Sequence, residues 1–255
     1  MTRIKTLLLP GFILLLGITG FSNAALTAEE IIRQVDFNQS PNSAIYDAKM
    51  IIRQKDRTDT KELRLMGVGT EKSYVIFLSP ERDKGTAMLR LGDNLWMYYP
   101  SAEKTMKLSG NMLRQGFMGS DFSYADSTER LKLLEKYDAT LLDSEILDNR
   151  PAYVLDLKAK DPNANYFQRK LWVDQEWLLI VKQEMYARSG KMLKLQTATD
   201  IIKIGNRYYP TKVHMEDKLK KNTYTEMIFT NIKLDGPVPE STFTLQNLEK
   251  RKILQ

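Results

Sequence analysis

Asp121 and Asp126 lie in a glycine-rich stretch and bracket Phe122 and Tyr124. Two carboxylates so placed can serve as an acid/base pair or as part of a calcium site. The stretch lacks the ligand spacing of a calcium loop. Carboxylates of this kind more often cap helices or satisfy loop amides, so they are read here as structural and no catalytic residue is assigned. The single histidine, His214, sits in a predicted strand beside Met215 and Glu216, with no HxxxH pattern and no serine motif near it. A lone histidine in that setting is structural. The chain has no Cys, which removes disulfides, thiolate zinc sites, iron–sulfur clusters, Cys nucleophiles and the acylated Cys of a lipoprotein anchor. No G-x-S-x-G, P-loop or dinucleotide glycine pattern occurs. A secreted hydrolase would lack a nucleophile–base pair, so the sequence predicts a protein that is not an enzyme and carries neither cofactor nor metal.

The densest information is apolar. Between Gly110 and Tyr124 stand Met112, Leu113, Phe117, Met118, Phe122 and Tyr124, interrupted by Gly116 and Gly119. Methionine fills irregular space and adapts to varied ligands. Two readings stay open: these side chains plug a barrel mouth as core, or they form a movable lid over a greasy cavity. On the second, Met88, Leu95 and Met97 supply part of the facing wall, although the alternation pointing inward is not decided by sequence.

The elements that must hold this stretch are mostly strands. Met1–Lys5 is basic, Leu7–Phe21 is nearly all apolar, and Ser22-Asn-Ala24 is a small-x-small site before Ala25. This is the layout of a cleavable export signal, and the apolar run is short for a spanning helix. The expected domains are a signal peptide over 1–24 and one domain over 25–255, placed in the periplasm. Thr27-Ala-Glu-Glu30 is a capping box opening a helix with Ile31, Ile32 and Val35 on one side. The period then changes to two. Strands are expected over Ser43–Gln54, Lys61–Val68, Ser73–Leu78, Thr86–Leu91, Leu95–Tyr99 and Lys104–Leu108. Asp126-Ser-Thr-Glu129 looks like a second capping box before a helical turn at Arg130–Leu134. Strands resume at Tyr137–Ser144, Ala152–Lys158, Tyr166–Val173, Trp177–Tyr186, Met192–Ile204, Tyr208–Met215 and Asn222–Leu234. About a dozen strands in hairpin order make a mostly β chain with a few short helices. One antiparallel sheet of that size must curl to bury a face, so a half-open barrel with a helical or loop lid is expected. Net charge is +6, spread along the chain, and its densest run, Lys218-Leu-Lys-Lys221, reads as a solvated turn. Nucleic acid is not an expected partner, and membrane contact is transient.

Leu95-Trp-Met-Tyr-Tyr-Pro100, Gly116-Phe-Met-Gly-Ser-Asp-Phe122 and Asp126 resemble outer membrane lipoprotein-sorting proteins of the LolA/LolB-like superfamily. Leu171-Trp-Val-Asp174, Ser189-Gly-Lys191, Tyr209-Pro-Thr211 and Phe243-Thr-Leu245 with Leu248-Glu-Lys-Arg251 follow in the same order. The resemblance covers nearly the whole chain after the leader. It implies a half-open β-barrel with a lid, and a monomer that carries lipoprotein acyl chains, lipids or another hydrophobic ligand. An envelope exporter of the resistance-nodulation-division type is a further implied partner. A regulatory or interaction module on the same fold, sensing lipid or docking to an exporter, is the alternative. No arginine here aligns with the cavity arginine of the carriers.

Overall fold

The protein is described by a computed structural model covering residues 26–126 and 132–250. The expected signal peptide and the Ser127–Glu129 part of the second capping box lie outside these residues. Thr27 caps helix α1 (Ala28–Gln39) as its spacing predicts. The Glu30 N–H donates to the Thr27 hydroxyl at 3.2 Å. The Glu30 carboxylate accepts from the Thr27 N–H at 2.8 Å, closing the box.

Thirteen antiparallel strands follow: β1 (Ser43–Gln54), β2 (Arg57–Val68), β3 (Lys72–Ser79), β4 (Ala87–Leu91), β5 (Asn94–Tyr99), β6 (Lys104–Leu108), β7 (Tyr137–Leu147), β8 (Arg150–Ala159), β9 (Gln168–Asp174), β10 (Ile180–Tyr186), β11 (Met192–Ile204), β12 (Arg207–Asp217) and β13 (Tyr224–Leu234). Among the described residues there are also two short α-helices, α2 (Leu133–Lys136) and α3 (Leu245–Lys250). Most strand ends differ from the sequence reading by one to four residues, and two of these differences have a plain cause. β2 begins at Arg57, because Gln54 pairs with Arg57 across a tight turn and the polar residues that look like loop are the start of the hairpin. Trp177 and Leu178 belong to a turn before β10, where Leu178 takes φ 50°.

The spatial order is β6-β5-β4-β3-β2-β1-β13-β12-β11-β10-β9-β8-β7. Each neighbour is a hairpin partner except β1 with β13, which joins the first and last strands. The sheet is curved and open: β6 and β7 are consecutive in sequence yet form its opposite edges. The chain between them must therefore cross the opening. That topology makes the linking segment, described over residues 109–126 and 132–136, a strap over the concave face.

The apolar core is divided among both faces of this sheet. α1 buries Ile31, Ile32 and Val35 with Leu133 of α2 against Tyr137, Leu155, Leu157, Leu171 and Val173. In the last turn of α1, Asn38 donates to the carbonyls of Trp177 at 3.0 Å and Leu178 at 3.1 Å. On the outer side of β3–β5, Phe243 and Leu248 pack over Tyr74, Ile76, Ala87, Leu89 and Tyr98. Strands covered on two faces lose their alternation, which is why β3 carries the unbroken run Tyr74-Val-Ile-Phe77. Among the described residues no helix is long and apolar enough to cross a membrane.

Candidate functional site: a strapped apolar cavity

The concave side of β1–β6 presents Met50, Leu63, Val75, Phe77, Met88, Leu95, Met97 and Leu108, and the strap lies on them. Met112, Leu113, Phe117, Met118 and Phe122 pack half-buried against this cluster, and Tyr124 is buried within it. Phe117 rests at 5.5 Å between ring centroids from both Phe77 and Tyr124, edge-on to the latter. Such tilted and edge contacts are favourable for aromatic quadrupoles. The strap folds back on itself, with Phe117 N–H donating to Phe122 O at 2.6 Å and Ala125 N–H to Leu113 O at 2.8 Å. Gly116 is required by close approach: a Cβ there would lie 2.4 Å from the Ser120 carbonyl oxygen. Gly119 instead takes φ +85°, a backbone state that suits glycine.

A cavity of about 280 Å³ remains between the strap and the second half of the sheet. That lies near the lower edge of ligand pockets, roughly 300–1,000 Å³. Of the residues singled out in the sequence, Met88, Phe117, Phe122 and Tyr124 line it. Leu95 and Met97 are fully buried beneath the strap, while Met112, Leu113 and Met118 pack on the core beside it. The opposite wall comes from β10–β13, through Met185, Ala198, Val213, Met215, Met227 and Phe229. Alternation marks these residues, but only knowledge of which face is concave makes them cavity residues.

The two carboxylates fasten the strap. Asp121 is 2% exposed. Its carboxylate accepts from the Thr225 hydroxyl at 2.9 Å, the Thr223 hydroxyl at 3.0 Å and Lys220 Nζ at 3.2 Å. Lys220, from the run read as a solvated turn, thus holds the strap. Asp126 accepts from the Tyr166 hydroxyl at 2.6 Å, Lys194 Nζ at 2.7 Å and the Ser123 N–H at 2.7 Å. Burial, with Asp126 next, pushes the Tyr166 phenol well above its ordinary value. Burial and the neighbouring Tyr99 likewise raise the Tyr124 phenol, so both stay neutral donors. Arg169, 3% exposed, donates to the Tyr137 hydroxyl at 3.0 Å and lies over the Tyr137 and Tyr166 rings. Tyr137 donates in turn to the Tyr166 carbonyl at 3.0 Å. One end of the cavity is therefore polar and hydrogen-bonded while the rest is apolar. Sequence reasoning missed Arg169, Gln183, Lys194 and Gln196 at that end, because polar positions in an alternating strand are read as outward.

His214 lies on the other face of β12 from Val213 and Met215. It stacks on Tyr224 at 4.8 Å and approaches Glu216 at 3.4 Å. Nothing connects it to the cavity, and among the described residues no group of three or more acidic or histidine side chains could hold a metal ion.

Comparisons with known proteins agree with this architecture. The fold is similar to a DUF1329 family protein from Desulfovibrio piger, with TM-score 0.82 and 20% identity over 87% of this chain and 97% of that one. It is similar to an outer membrane lipoprotein-sorting protein domain from Vibrio parahaemolyticus, with TM-score 0.78 and 23% identity over 87% and 96%. A LolA superfamily protein from Nitrosomonas europaea gives TM-score 0.73 and 27% identity over 87% and 99%. No curated protein matches the chain. Residues 69–250 match a family model described as an uncharacterised protein. That match spans more than half of the sequence, and the chain belongs to this family, with a fold like that of the LolA superfamily protein.

Proposed function

We propose that the protein is a periplasmic, non-enzymatic carrier that holds an acyl chain or similar hydrophobic group between its curved sheet and the 109–126 strap. The observation that carries this is the cavity itself: an apolar wall on β1–β4 and β10–β13, closed by Phe117, Phe122 and Tyr124 on the segment that leaves the edge strand β6. The likeness to the lipoprotein-sorting protein domain and the LolA superfamily protein supports it. Each buried methylene contributes about 0.8 kcal/mol, so roughly ten offset the cost of association without any catalytic group. A cavity of this size with the strap closed also means that a larger cargo displaces the strap. Export through a leader cleaved before Ala25 delivers the chain to the compartment where such cargo travels.

The test is native mass spectrometry and lipid extraction of protein purified from the periplasm, with N-terminal sequencing on the same sample. Bound lipid on a chain starting at Ala25 is the expected result. A lipid-free protein that refuses acyl probes overturns the carrier reading, and a stable protein partner in its place would assign the fold a docking or sensing role.

A further inference from the structure

β10 and β11 place two glutamines side by side on the cavity wall. Gln183 and Gln196 are direct cross-strand partners, and both line the cavity. Their row runs across the sheet from Leu155 and Leu171 on one side to Met215 on the other. Two amides thus interrupt an otherwise apolar row. Gln183 is 7% exposed, and its Oε1 is buried with no hydrogen-bond partner among the described residues. Neighbouring glutamines can satisfy one another, yet this oxygen is not reached by Gln196. A buried acceptor left unpaired is costly to the folded protein, so its persistence in a cavity wall points to a donor supplied from outside.

The surroundings say which kind of donor. The adjacent row carries Arg169, Met185 and Lys194 as successive cross-strand partners. Both cations are already engaged, Lys194 with Asp126 at 2.7 Å and Arg169 with the Tyr137 hydroxyl at 3.0 Å. On the other side Ala198, Val213 and Met227 continue the wall as apolar surface. The amide pair therefore marks the boundary between the polar end and the apolar length of the cavity. A carboxylate cannot donate to Gln183 Oε1, and an ester offers only acceptors. A hydroxyl, or an amide through its N–H and its carbonyl oxygen, both donates and accepts, matching an amide wall in either orientation of the side chain.

Resting on the carrier reading, we propose that Gln183 and Gln196 form the headgroup subsite, and that the cargo is a single-chain lipid with an uncharged hydroxyl or amide headgroup. Its polar group pairs with Gln183 Oε1, and its tail runs along Val213, Met227 and Phe229.

The experiment measures displacement of a dansyl-labelled acyl probe by monopalmitoylglycerol, methyl palmitate and palmitate. The wild-type protein should bind monopalmitoylglycerol about tenfold more tightly than methyl palmitate, the usual effect of one buried hydrogen bond. Gln183→Leu should bind the two alike while keeping its affinity for methyl palmitate, which also shows that the variant is folded. If Gln183→Leu binds nothing, Gln183→Met supplies the same comparison. A preference that survives either variant overturns the subsite, as does palmitate binding more tightly than the alcohol. Wild-type protein that takes up none of the three fails the carrier reading itself, a result separable from failure of the subsite.

Discussion

Asp121 and Thr225 are hydrogen-bonded to each other twice. The Asp121 N–H donates to the Thr225 hydroxyl at 2.9 Å, and that hydroxyl donates to the Asp121 carboxylate at 2.9 Å. Thr225 is fully buried in β13, at the centre of the sheet, and Asp121 stands midway along the strap. The pair pins a segment joined by sequence only to the two edges. Asp121→Ala removes the carboxylate and leaves the Thr223 and Thr225 hydroxyls without it. It should lower stability by about 1–3 kcal/mol. Hydrogen exchange should quicken over 112–125 and stay unchanged in β1, β2 and β13. Uniform acceleration across the sheet would show that Asp121 holds the whole fold rather than the strap.

The second fastening tests differently, because it is a buried ion pair. The side chains of Lys194 and Asp126 are 9% and 14% exposed. Asp126→Asn strands the Lys194 ammonium and should cost about 3–5 kcal/mol in urea unfolding. Adding Lys194→Met removes the stranded charge and should recover most of that loss. A double variant no better than the single one would mean that Tyr166 and Ser123, rather than Lys194, are the partners that matter.

Particular residues explain what could be seen in the sequence. β1 was legible to both ends because Ala44, Tyr46, Ala48, Met50 and Ile52 alternate without a break, and all face the buried side. The first turn of β2 was not, because Arg57–Thr60 extends beyond the core and has no apolar residue to mark it. The sequence places Trp177 and Leu178 at the start of a strand after the Asp174–Glu176 connection, yet a positive φ at Leu178 keeps them in the turn. The strap was legible through its crowd of Met and Phe side chains between glycines. Its fastening was half legible: Asp121 and Asp126 stood out, while their partners Thr225 and Lys194 come from strands remote in sequence. The glutamine pair was invisible, since register between β10 and β11 is needed before Gln183 and Gln196 become neighbours.

Phe117 is half-buried, packed between Phe77 and Tyr124 and lining the cavity at the same time. It therefore combines the two roles that the sequence left open. Phe117→Ala should cost about 1–2 kcal/mol, less than the 3–5 kcal/mol of a fully buried phenylalanine. Uptake of a fluorescent fatty acid should fall as well, because the variant removes wall as well as core. Destabilisation of the full core size with normal uptake would make Phe117 a plug and the strap a fixed part of the barrel.

Asp36 carries a pH dependence into the contact between α1 and α2. Its Oδ1 is buried without a partner among the described residues. Burial raises its carboxyl to about 6, and Glu135 adds to the rise. The backbone N–H groups of Leu133 and Lys132 oppose it. In the unfolded chain the group titrates near 3.8. The folded protein thus holds its proton more tightly across that interval. The contribution to stability is full below 3.8, declines as pH rises toward 6, and is absent above. Asp36→Asn keeps the shape of the neutral acid at every pH. It should match the wild type at pH 4 and exceed it at pH 7.5 by about 1–2 kcal/mol, allowing for partial screening by water. Urea midpoints from pH 4 to pH 8 measure this, and a gap of constant size across that range would place the carboxyl at its ordinary value.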